Sequence, residues 1–172
     1  MIQFTPENPT DIVAREALLD RVMGPERLMK PSERLRAGRL PARGLSLVAR
    51  DGDQLVGTVR LWNIAAAGKP ALLLGPLCVD PDACDKGVGA GLMQMAVARA
   101  GMFGHKGIVL VGDPEYYARF GFDAAATGGL VMPAPVERRR FLGLELADGA
   151  LAKAAGRIIA TGEPADGARL AA

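Results

Sequence analysis

Between Lys86 and Gly91 the chain reads Lys-Gly-Val-Gly-Ala-Gly, with a glycine at every second position. A helical pattern begins inside the same stretch, placing Val88, Leu92, Met95 and Ala96 on one stripe. Upstream, Ala71 to Val79 (ALLLGPLCV) is apolar, too short to span a membrane and the right length for a buried strand. Asp80-Pro81-Asp82 ends that run, because proline fixes φ and disfavours regular structure in the residue before it. A strand, a glycine-rich turn and a helix start in this order leave the first helical N–H groups without internal partners. The helix dipole adds a partial positive charge at the same place. Glycines let an anion come close to those N–H groups, since no Cβ stands in the way. The chemistry that this pattern serves is the binding of a diphosphate; the contrasting reading is a structural glycine turn with no ligand.

Two better-known phosphate loops do not fit. In G-x-G-x-x-G the third glycine after Gly87 and Gly89 falls on Leu92, and after Gly89 and Gly91 on Gln94. No G-x-x-x-x-G-K-[ST] occurs. Other reactive side chains are few. His105 is the single histidine and reads as an exposed turn residue. Cys78 reads as core and Cys84 as exposed, with no histidine placed to make a nucleophile of either. Two cysteines and one histidine make neither a disulfide framework nor a metal site, so no metal is expected.

The elements that position the loop follow from periodicity. Ile2-Gln3-Phe4 is a short strand, and a helix capped by Thr10 or Asp11 carries Ile12, Leu19, Val22 and Met23 inward before Gly24-Pro25 ends it. Leu45–Arg50 and Gln54–Trp62 alternate as strands around an Asp51-Gly52-Asp53 turn, and Ala65–Pro70 turns into the apolar strand. After the glycine-loop helix, Gly107–Val111 is a β-branched strand. Asp113 caps a short helix that has Pro114 at its first position and ends at Gly121. Phe141–Leu146 and Arg157–Ala160 read as further strands, and residues 162–172 as a frayed tail of a single domain covering 1–172.

Two motifs together resemble the GNAT superfamily of N-acetyltransferases. Its (Q/R)-x-x-G-x-(G/A) loop is matched by Cys84-Asp85-Lys86-Gly87-Val88-Gly89, with Cys84 replacing the usual first residue. Downstream, Tyr117-Ala118-Arg119-Phe120-Gly121-Phe122 matches Tyr-x-x-x-Gly-Phe. The longer run from Gly112 to Phe122 is similar to one bacterial branch of the superfamily, and the resemblance covers about residues 1–160.

The resemblance implies an α/β fold of the acyl-CoA N-acyltransferase type: a mostly antiparallel central sheet, splayed between its fourth and fifth strands and flanked by helices. It implies acetyl-CoA as co-substrate, lying between Leu72–Val79 and Gly107–Val111. The expected contacts are Leu77, Cys78 and Val79 for the pantetheine arm and Cys84, Asp85, Lys86, Gly87, Val88, Gly89, Ala90 and Gly91 for the diphosphate, with Asp113 and Tyr117 nearby. The Val79 N–H would polarise the thioester carbonyl, and Tyr117 would act as general acid toward the leaving thiolate, with Tyr116 the fallback. Many relatives place a glutamate on the fourth strand as general base. Ala71 to Val79 holds no acid, which leaves ordered water, Asp113 or Glu115.

Composition narrows the rest. A chain of 172 residues with 49% hydrophobic and 23% charged residues reads as one ordinary globular domain. A net charge of +2 argues against nucleic-acid binding by bulk charge. With no signal-like start and no spanning-length apolar run, no membrane partner is expected and the location reads as cytoplasmic. From Arg21 to Arg50 eight basic residues face two acidic ones, an excess of +6 that leaves −4 elsewhere. That excess is either a solvated helical face or a patch that attracts an anionic acceptor. The expected partner is a small-molecule or peptide amine, and a homodimer stays open. The contrasting function is a non-catalytic module that binds CoA or acyl-CoA and regulates a partner.

Overall fold

The computed structural model describes residues 1–166. In chain order it contains strand β1 (Ile2–Pro6), helix α1 (Ile12–Met23), a single helical turn α2 (Glu33–Arg36), and strands β2 (Ser46–Asp51), β3 (Gln54–Ala66) and β4 (Lys69–Val79). Helix α3 (Val88–Met102), strand β5 (Gly107–Val111), short helix α4 (Pro114–Tyr117) and strands β6 (Leu130–Val131), β7 (Phe141–Glu145) and β8 (Gly156–Ala160) follow. The main sheet runs β1-β2-β3-β4-β5-β7. Its pairs are antiparallel except β4 with β5. Strand β8 adds to the far end of β3 beyond the reach of β2, and β6 lies parallel to β8.

Alternation along the strands gives the sheet two buried faces, and the core falls into three clusters. Leu47, Ala49, Val59, Leu61 and Leu72 meet the buried stripe of α3, formed by Val88, Leu92, Met93, Ala96 and Ala100. On the opposite face Val48, Leu55 and Cys78 meet Leu18 and Leu19 of α1. A third cluster packs Leu35, Trp62, Ile64, Leu73 and Phe141 together.

Several sequence expectations shift. The turn expected over Ala65–Pro70 contracts to Ala67-Gly68, both with positive φ, as a two-residue hairpin requires. Neither Thr10 nor Asp11 caps α1 by a side-chain bond; the Asp11 carboxylate accepts from Asn8 N–H at 2.8 Å and pairs with Arg50. The inward face of α1 includes Arg15, 4% exposed and paired with Glu7. Of the expected frayed tail, the stretch to Ala165 is tied down: Leu40 N–H bonds Glu163 O, Ala165 N–H bonds Gly38 O, and Arg39 donates to Gly162 O. Residues 167–172 of that tail lie outside the described residues.

The loop helix docks through a glycine on the sheet. A Cβ at Gly57 would stand 2.6 Å from Val88 Cγ1 and 3.0 Å from Leu92 Cδ1, both fully buried side chains. Gly57→Ala is expected to destabilise the fold by about 1–3 kcal/mol by overpacking. Urea unfolding checks this: the midpoint falls at unchanged slope, whereas an unchanged midpoint shows that α3 has room to move.

Candidate active site

The site begins where two strands part. Strands β4 and β5 pair only at Leu72 with Ile108 and Leu73 with Val109. Beyond Leu73, β4 continues to Val79 against β3 alone, while β5 runs on against β7. The separation coincides with a bulge. Val59 opposes Leu77 and Leu61 opposes Leu74, so an extra residue of β4 buckles out at Gly75-Pro76. Gly75 has φ +136°, and its carbonyl accepts the buried Trp62 indole N–H at 2.6 Å. Proline is tolerated there because its missing N–H removes no ladder bond.

The phase of the exposed edge follows from one hydrogen bond. Asp80 N–H donates to Val56 O at 2.8 Å, so the backbones of Asp80 and Cys78 face β3. Leu77 and Val79 therefore turn their N–H and C=O groups toward the opening, as an added extended ligand requires. Cys78 departs from its expected role as a cofactor contact: its backbone is spent on β3, and its thiol is buried against α1, which pushes the pKa up to about 11.

The edge leads to the glycine loop. A 3-10 turn, Pro81–Lys86, is capped by Asp80, whose carboxylate accepts from Asp82 N–H at 3.1 Å. Gly87 then adopts φ +73° and opens α3. The earliest bond of the α3 ladder runs from Gly91 N–H to Gly87 O, so Val88, Gly89 and Ala90 supply the N–H groups that precede it. A Cβ at Gly87 would meet nothing within 4 Å, so an anion has open access to that backbone. Gly91 serves packing instead, because its Cβ would lie 2.2 Å from the Phe4 ring. The side chains of the loop also part from expectation. Lys86 Nζ pairs with Asp51 at 2.7 Å, Cys84 Sγ turns back to Asp80 O at 3.6 Å, and Asp85 is exposed. Only backbone remains for a diphosphate there.

Across the opening, the end of β5 is pinned by Gly112 N–H to Arg140 O at 2.9 Å. Asp113 caps α4 by accepting from Glu115 N–H at 3.2 Å, and Glu115 itself pairs with Arg139. Tyr117 packs edge-on against Phe122 and Tyr116. A Cβ at Gly112 would stand 2.4 Å from the Tyr117 ring, so the glycine makes room for the phenol. Burial, and then the neighbouring Tyr116, push the Tyr117 pKa up to about 12. The Tyr116 hydroxyl reaches the loop, 2.6 Å from the Cβ position of Gly89, and Arg119 stacks 4.7 Å over its ring.

A cavity of about 340 Å³ fills the fork, with Leu74–Leu77 on one wall and Leu110–Asp113, Tyr116 and Tyr117 on the other. Lys30 and Arg36, both from the basic stretch 21–50, also line it, as does Arg140, which the sequence did not single out. Three of the eight basic residues of 21–50 are paired with acids elsewhere: Arg21 with Asp80, Arg27 with Glu16 and Asp20, and Arg50 with Asp11. His105 is half-buried, away from this cavity, with its pKa lowered by burial. A groove between α3 and the Arg119-Phe120 segment adjoins the loop. Among the described residues no three His, Cys, Asp or Glu side chains gather into a metal site, and no helix is long and apolar enough to cross a membrane.

Comparison with known proteins identifies the family and the fold. The acetyltransferase (GNAT) domain profile matches residues 42–124. The uncharacterized N-acetyltransferase YhbS of Escherichia coli K12 is 34% identical over 110 residues, 62% of this chain and 66% of that protein, just under two thirds of its length. A crystal structure of E. coli YhbS in complex with CoA superposes with a TM-score of 0.77 at 30% identity, covering 94% of this chain and 89% of that one. A GNAT family acetyltransferase from Brucella melitensis in complex with acetyl-CoA gives 0.64 at 26% identity, covering 99% and 98%.

The buried phenol makes stability depend on pH. An unfolded tyrosine ionises near pH 10 while folded Tyr117 holds its proton to about 12, so its contribution is intact below pH 10 and is lost as pH rises toward 12. The loss is expected to be about 2 kcal/mol, after allowing for partial exposure of the ring. Urea midpoints taken between pH 9 and 11.5 should fall more steeply for the wild type than for Tyr117→Phe. Parallel profiles contradict the buried state of this phenol.

Proposed function

The chain belongs to the GNAT superfamily of N-acetyltransferases, and on that premise we propose that it moves an acetyl group from acetyl-CoA directly to a primary amine. One observation carries the reading: the unpaired edge of β4 ends beside an open helix start, with Val79 Cγ2 3.6 Å from the Cβ position of Gly89, so a single extended ligand can use both. The pantetheine arm pairs with Leu77 and Val79 as an added strand. The diphosphate sits on the N–H groups of Val88, Gly89 and Ala90, with Gly87 giving access. The nucleotide end lies in the groove beside Arg119 and Phe120.

Bound acetyl-CoA supplies an activated acyl carbon. The Val79 N–H, already turned toward the opening, stabilises negative charge that develops on the carbonyl oxygen. Tyr117 acts as general acid; its phenol is protonated at neutral pH at its ordinary pKa, and burial raises that pKa further. Since a thiol's ordinary pKa is near 8.5, complete proton transfer from this phenol is uphill. Its stabilisation therefore comes through a hydrogen bond that strengthens as the sulfur gains charge. Tyr116 is the second candidate, because its hydroxyl already reaches Gly89. For the amine's proton, Glu115 pairs with Arg139 and Asp113 caps α4, which leaves water as the route.

Calorimetry with acetyl-CoA, followed by a thiol-release assay over a broad amine panel, tests the proposal. Binding with amine-dependent thiol release is the expected result. No binding at near-millimolar acetyl-CoA rejects it, and tight binding without thiol release favours a regulatory module. Tyr117→Phe is expected to lower kcat on the order of 10²-fold while acetyl-CoA affinity stays within about twofold. An unchanged kcat removes Tyr117 as the acid.

A further inference from the structure

The fork holds a buried cation with an open side. Arg36 is only 7% exposed, because Leu35 beside it anchors α2 in the core. Its Nε and Nη2 both lie 3.1 Å from a single oxygen, Glu33 Oε2. Its Nη1 meets no carboxylate among the described residues and sits at Gly75, 3.2 Å from the Cβ position, on the cavity wall. A guanidinium has five N–H donors, so a second anion can be held on the remaining ones. Lys30 and Arg140 line the same cavity, and the acid among its lining residues, Asp113, is engaged as the cap of α4. Burial lowers the Arg36 pKa, Glu33 opposes that effect and Arg27 adds to it, so the charge is incompletely compensated.

Resting on the acetyltransferase reading, we propose that the acceptor carries a carboxylate or phosphate beside its amine, and that Arg36, flanked by Lys30 and Arg140, binds that oxyanion. The same cations suit the reaction. The attacking amine must be neutral, and nearby positive charge lowers an ammonium's pKa, so its proton leaves to solvent more readily. That effect offsets the lack of an acid on β4. Polyamines and lysine-rich peptides are repelled by the same three charges.

Two measurements test this. In CoA-saturated protein, the Arg36 Nε–H resonance, assigned by its loss in Arg36→Lys, is followed during titration with sodium phosphate and with succinate at constant ionic strength. A saturable shift in the millimolar range is expected, weakened about threefold in Lys30→Gln, whose exposed position spares the fold. No saturable shift up to about 50 mM overturns the proposal. In the second arm, matched amines are compared by kcat/KM: phosphoethanolamine with ethanolamine, amino acids with their carboxamides, and spermidine. The anionic member of each pair is expected to lead by about tenfold or more, and the lead to shrink to about twofold in Arg36→Met at unchanged acetyl-CoA affinity. Neutral or polycationic amines reacting equally well overturn it, as does a preference that survives Arg36→Met. If no amine in the panel reacts, the titration decides. If acetyl-CoA fails to bind, the proposed function fails, and the titration of the free protein still reads the anion site.

Discussion

The structure depends on the loss of hydrogen bonding between two neighbouring strands. Strands β4 and β5 are adjacent and parallel, yet they share a ladder only at Leu72 and Leu73. Left unpaired beyond that point, the N–H and C=O groups of Leu77 and Val79 are an incomplete sheet edge inside the molecule. Such an edge is costly unless something completes it. The Gly75-Pro76 bulge diverts β4, and the Trp62 indole fixes it by holding the Gly75 carbonyl at 2.6 Å. On the other bank, Gly112 N–H to Arg140 O and the β5 pairing with β7 keep β5 from closing over the gap. The fork is thus built from bonds on either side of it.

Close packing then sets what lies at the end of the edge. Helix α3 rests on Gly57 of β3, and Phe4 of β1 fits against Gly91, so the helix start lies beside Val79, whose Cγ2 is 3.6 Å from the Cβ position of Gly89. Polar groups in the loop are tied back by Asp80 and by the Lys86–Asp51 pair. The open surface that results is backbone, which suits an anion that must be held without a dedicated cation. At the opposite end of the fork the reverse holds, with Lys30, Arg36 and Arg140 gathered around one cavity. The two ends therefore present different kinds of anion-binding surface, one of backbone N–H groups and one of cationic side chains.

Local signals were legible in the sequence. The apolar run before Asp80-Pro81, the helix opening at Gly87 and the Asp113-Pro114 cap all appear as read, because each depends on residues close together in the chain. Roles that depend on distant neighbours were not. Nothing near Gly91 tells that its missing Cβ accommodates Phe4, and nothing near Cys78 tells that its backbone is committed to β3. The charge excess of residues 21–50 was visible, but its fate was not: Arg21 and Arg50 find acids on other elements, while Arg36 reaches the fork through the burial of Leu35. Arg15 lies on the inward stripe of α1, which hydrophobic periodicity assigns to apolar residues, because Glu7 of the same layer neutralises it.

Residue-resolved amide hydrogen exchange with and without CoA tests the central claim most directly, that β4 ends in an unpaired edge completed by the cofactor's arm. The account predicts that the amides of Leu77 and Val79 exchange fast in the free protein and slow by at least about tenfold on CoA binding, while that of Leu73, already inside the ladder, stays unchanged. Leu77 and Val79 amides that are already protected without CoA, or that ignore its binding, would contradict it.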